Sequence, residues 1–159
     1  MKKIIILLAA VVLFSACDKS DRPLDLNSLT VSNHVFSGCV DAEDLTKVGQ
    51  SDFYSHIIIL EANGDVLKVL KQSRFVCGAY IELEISNEGN TITLREVNKG
   101  ASAFCTCPGE YKSEIKGMKE GEYTICVFPA DTDEWYYKPF TFTFKEGIKQ
   151  RIELEYIYY

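Results

Sequence analysis

The sequence predicts an all-β domain, an antiparallel β-sandwich of about nine short strands, and three observations lead there. From Thr30 onward apolar residues recur with a period of two, not 3.6. No window of about ten residues carries a helical stripe. Clusters of Gly, Asn, Asp and Glu punctuate the alternating runs at hairpin spacing. Two packed sheets fit this grammar better than an α/β scaffold.

The strands follow in chain order. Phe53 to Leu60 alternates, turns at Asn63-Gly64-Asp65 and returns through Val66 to Leu70. In Arg74 to Ser86, Phe75, Cys77, Ala79, Ile81, Leu83 and Ile85 share one face, while Tyr80, Glu82 and Glu84 share the other. The turn Asn87-Glu88-Gly89-Asn90 leads into Thr91 to Val97, with Ile92 and Leu94 on one face. Four further runs are Glu110 to Lys116, Glu122 to Phe128, Lys138 to Lys145 and Arg151 to Tyr159. Phe140, Phe142 and Phe144 line one face of the third, and Ile152, Leu154, Tyr156 and Tyr158 line one face of the fourth. Glu146 and Gly147 open the turn between these last two.

Ahead of the domain stand Met1-Lys2-Lys3, an apolar run from Ile4 to Phe14, and Ser15-Ala16-Cys17-Asp18. As a helix the run rises roughly 16 Å, about half of a ~30 Å hydrocarbon layer, so it reads as a secretory signal and not a span. The order of small residues before Cys17 resembles the bacterial lipobox, with Phe14 where the family prefers Leu. That resemblance implies cleavage before Cys17 and acylation of Cys17. The expected organisation is a signal peptide over 1–16, a lipidated flexible tether over 17–29 broken by Pro23, and one sandwich domain over 30–159.

Acidic residues outnumber basic ones, 23 to 17, and two of the basic ones, Lys2 and Lys3, lie in the leader. This balance excludes nucleic acid and electrostatic docking on anionic lipid, leaving the lipid anchor as the membrane partner. Of the 6 cysteines, Cys39, Cys77, Cys105, Cys107 and Cys126 follow Cys17. Export permits disulfides, and an odd number leaves one cysteine over.

Met118, Gly121 and Tyr123, leading into Thr124 to Phe128, resemble the tyrosine corner of immunoglobulin-like and fibronectin-like domains, in which the phenol bonds back to the preceding loop. With Cys77, the Glu88-Gly89-Asn90-Thr91-Ile92 hairpin and the Phe104-Cys105-Thr106-Cys107-Pro108 loop, this corner looks like a group of small Bacteroides-type envelope lipoproteins of unknown function. The likeness covers roughly residues 74 to 128 plus the leader. It implies an outer-membrane location, at the surface or on the periplasmic face, and carries no catalytic residue.

Cys105 and Cys107 stand two apart, so both thiols point to one side of an extended segment. A redox pair calls for Cys-x-x-Cys at a helix amino terminus, and zinc for paired knuckles that are not present here. A structural disulfide from Cys77 to Cys105 or to Cys107 is expected, and spacing does not choose between them. His34 and His56 fall in strand patterns, and no hydrolase, metalloprotease or phosphate-cradling motif occurs. Asp131-Thr132-Asp133-Glu134 lacks the glycine and distal Glu of a calcium loop. No cofactor and no metal site are expected.

Trp135-Tyr136-Tyr137 is the candidate ligand-binding element, because three consecutive aromatics cannot all face one core. An exposed ring with a polar edge suits a sugar face or a protein partner. Tyr156, Tyr158 and Tyr159 form a second aromatic cluster. The function expected is therefore a non-catalytic binding or accessory module for a glycan or an envelope protein. The alternative is a structural or assembly subunit of a surface fibre, exchanging Arg151 to Tyr159 by strand addition. A hydrolase or a thiol-redox enzyme ranks behind both.

Overall fold

The computed structural model describes residues 29–39, 56–101, 103–130 and 135–158, which form β1 (Thr30–Phe36), β2 (Ile57–Asn63), β3 (Val66–Val76), β4 (Ile81–Glu88), β5 (Thr91–Asn98), β6 (Thr106–Lys116), β7 (Gly121–Phe128), β8 (Trp135–Tyr137), β9 (Phe140–Phe144), β10 (Lys149–Glu153) and β11 (Tyr156–Tyr158). The leader, the tether as far as residue 28 and residues 131–134 lie outside the described residues. One sheet has the order β1-β6-β3-β2-β10 and the other β4-β5-β7-β9, with β8 and β11 forming a separate ribbon. The two sheets bury their facing sides against each other, so the expected all-β sandwich is the fold.

Alternation decides which residues enter the core. Ile58, Leu60 and Ala62 of β2, Leu67 and Val69 of β3, and Ile115 of β6 face inward from the first sheet. Ile92 and Leu94 of β5, Tyr123, Ile125 and Val127 of β7, and Phe142 and Phe144 of β9 meet them from the second. Burying each Val, Leu, Ile or Phe among them stabilises the fold by about 1.5–3 kcal/mol before ordering costs. Glu82, Glu84, Glu153 and Glu155 stay exposed on outward positions.

Pairing is antiparallel except between β5 and β7, which run parallel. The chain crosses to the other sheet as β6 between them, so β7 returns in the direction of β5. Two expected strands are divided. Arg74 to Ser86 ends its first half at Val76, turns at Gly78, whose φ of +81° suits glycine, and resumes as β4 in the opposite sheet. An alternating pattern survives a sheet change when the turn preserves facing, which is why the two halves read as one strand. The carboxyl-terminal run likewise leaves the first sheet after Glu153, where the Leu154 amide donates to the His56 carbonyl at 2.7 Å, and re-pairs as β11 with β8. The run expected over Lys138 to Lys145 is strand only from Phe140, after Pro139, while Trp135 to Tyr137 forms its own strand.

Candidate functional site

Most described inward positions of the sandwich are apolar; Ser113 of β6, which meets His34, is one exception, and a charged cluster is the other. Lys71 and Ser73 of β3 point between the sheets, and Glu96 of β5 faces them from the opposite sheet. The Lys71 ammonium contacts the Glu96 carboxylate in an ion pair whose side chains are 0% and 2% exposed. Three rings surround Nζ, with centroids at 4.8 Å for Tyr137, 5.4 Å for Phe75 and 5.9 Å for Tyr111. The Tyr111 hydroxyl is buried beside the Glu96 charge, and burial followed by that charge pushes its pKa well up.

The polar cluster extends toward the strand ends through His56. Its Nδ1 lies 2.5 Å from Ser73 Oγ and 3.0 Å from the Tyr137 hydroxyl, and its Nε2 contacts the Tyr156 hydroxyl. Tyr137 and Tyr156 stack at 4.9 Å, joining the two aromatic clusters of the sequence through the β8–β11 pairing. Burial, then the positive charges of Lys71 and Arg74, lower the His56 pKa to about 4, so the ring is neutral near pH 7. Burial likewise raises the Tyr137 pKa. A serine touching histidine invites comparison with a nucleophile and its base. Here the far ring nitrogen meets a phenol, where a catalytic triad places an orienting carboxylate, and a depressed pKa weakens the base.

A hollow of about 260 Å³ opens beside this cluster. Its floor holds Phe75, Ile81, Glu96 and Tyr137, and its mouth holds Arg74 and Thr106. Arg74 Nη2 donates to the Thr106 carbonyl at 2.9 Å, and Nε donates to Thr106 Oγ1 at 3.1 Å, fixing both at the rim. A wider groove of about 340 Å³ crosses the outer face of the first sheet over Ile59 and Leu70. Its lining is mostly polar and charged, with Lys149 paired to Glu61 at 3.3 Å, and it carries no aromatic ring.

Of the candidate aromatics, Tyr137 is 1% exposed and is thus a wall of the hollow, not an exposed platform. Trp135 and Tyr136 pair through their backbones with Tyr158 and Ile157, and their side chains lie outside the described residues. Cys77 bonds to Cys105 and Cys39 to Cys107, so β6 and its lead-in are fastened to the segments that follow β3 and β1. The sulfurs of Cys39, Cys77 and Cys107 lie within 4.8 Å of one another, a cluster already engaged in these two bonds. Among the described residues Cys126 is the free thiol, its pKa raised by burial.

His34 sits 2.6 Å from both Ser113 Oγ and the Ile81 carbonyl. The carbonyl can only accept, so Nε2 carries the proton and Nδ1 accepts from the serine. His56, by contrast, precedes β2 and is a member of the cluster, which sequence reading missed. Its signal was the pair of hydrophilic residues Lys71 and Ser73 at inward positions of an otherwise apolar face. Comparison with protein-family models, with curated proteins and with solved structures finds no match to this chain.

Proposed function

We propose that the chain is a lipid-anchored cell-envelope protein, tethered at Cys17, whose sandwich is a non-catalytic module that binds a glycan in the hollow beside Tyr137. One observation supports this reading above the others. The hollow sets the rings of Phe75 and Tyr137 among the polar groups of Ser73, Arg74, Glu96 and Thr106. Ring faces match the apolar side of a pyranose, and the hydroxyl and guanidinium groups of Ser73, Thr106 and Arg74 match its hydroxyls. At about 260 Å³ the hollow sits just below the roughly 300–1,000 Å³ of drug-sized pockets, which suits one sugar ring better than a chain.

An array of envelope and host glycans tests the reading. The folded chain should bind a restricted set sharing one terminal sugar. Uniform absence of binding by folded protein would remove the glycan proposal.

A further inference from the structure

We infer that Lys71 and Glu96 condense into an intramolecular isopeptide bond, an amide from Lys71 Nζ to the Glu96 side-chain carbonyl carbon, which ties the two sheets together covalently. The two groups come from opposite sheets, on β3 and β5, and are in direct contact. They are buried to within 2% of complete exclusion from solvent. A buried ion pair keeps a desolvation cost that Coulomb attraction seldom recovers in full, and conversion to a neutral amide removes both charges.

The chemistry balances within the site. One proton passes from the Lys71 ammonium to the Glu96 carboxylate, giving neutral amine and neutral acid, forms that an apolar surround tolerates. The Nζ lone pair attacks the carboxyl carbon and forms the C–N bond. The second proton leaves Nζ for the departing hydroxyl, the C–O bond breaks, and one water is released. No oxidant and no co-reactant is required. Proximity replaces activation, as held reactants reach effective molarities far above any solution concentration. Tyr111 supplies the assisting donor, for its buried hydroxyl stands beside the Glu96 carboxyl, where the tetrahedral oxygen develops. The rings of Phe75, Tyr111 and Tyr137 exclude the water that would reverse the reaction.

Peptide mapping of the full chain, unfolded, reduced, alkylated and cut with trypsin, tests this directly. An acylated Lys71 resists cleavage, so Val69 to Arg74 should appear joined to Glu96 to Lys99, lighter by one water than the two peptides together. Fragmentation should place the bond between Lys71 and Glu96, and Lys71→Met should abolish the joined species. Recovery of Val69 to Lys71 and Gln72 to Arg74 as free peptides from folded protein would overturn the inference, as would a lost water assigned to any other pair.

Discussion

The Tyr123 hydroxyl donates to the Lys119 carbonyl at 2.7 Å and accepts from the Lys119 amide at 3.3 Å, closing the loop that feeds β7. The ring itself is wholly buried, so the phenol satisfies two backbone groups from inside the core. Tyr123→Phe keeps the ring and leaves those groups short of a partner. It should lower unfolding free energy by about 1–2 kcal/mol, read from the urea midpoint with an unchanged m-value.

His56 gives the fold an acid-sensitive window. Its folded pKa of about 4 lies below the ordinary 6.5, so the unfolded chain binds more protons between these values. Its contribution is complete above pH 6.5 and is lost as pH falls toward 4. Because the ring is only half-buried, the loss should be about 1–2 kcal/mol, after allowing for solvent screening. Urea midpoints at neutral pH and near pH 4.5 should differ less in His56→Gln than in the parent.

The two disulfides constrain unfolded loops of unequal length, 68 residues for Cys39–Cys107 and 28 for Cys77–Cys105. Loop-closure entropy puts them at roughly 4.4 and 3.6 kcal/mol, so paired Cys→Ala variants should both destabilise, the first more. In native protein Cys126 should react slowly with a maleimide and rapidly once urea unfolds the chain, since burial holds its thiol protonated.

Surface capture of a glycan requires an outward-facing domain. A non-penetrating protease should therefore remove the protein from intact cells, with opened cells as the control. Protection until the envelope is opened would favour an accessory role in the periplasm.

Much of the fold was legible because alternation reports facing directly. Phe142 and Phe144, Ile92 and Leu94, and the Tyr123 corner sit where period and motif put them. What alternation does not report is which sheet a strand joins. The change of sheet at Gly78 therefore went unread, as did the departure of the chain after Glu153. The parallel pairing of β5 with β7 also rests on the intervening β6, a long-range fact that no local pattern carries. The site was harder still. Lys71 and Glu96 each look like one more charge on a strand until two sheets place them together, and His56 meets Tyr156 across 100 positions of sequence.

The most direct test is a calorimetric titration of the best array glycan into the parent chain, Arg74→Ala at the mouth of the hollow, and Lys68→Ala in the outer groove. The account predicts that Arg74→Ala weakens binding about tenfold or more, roughly 1.4 kcal/mol, while Lys68→Ala binds like the parent. Weakening by Lys68→Ala with Arg74→Ala unaffected would contradict it and move the ligand to the outer face of the first sheet.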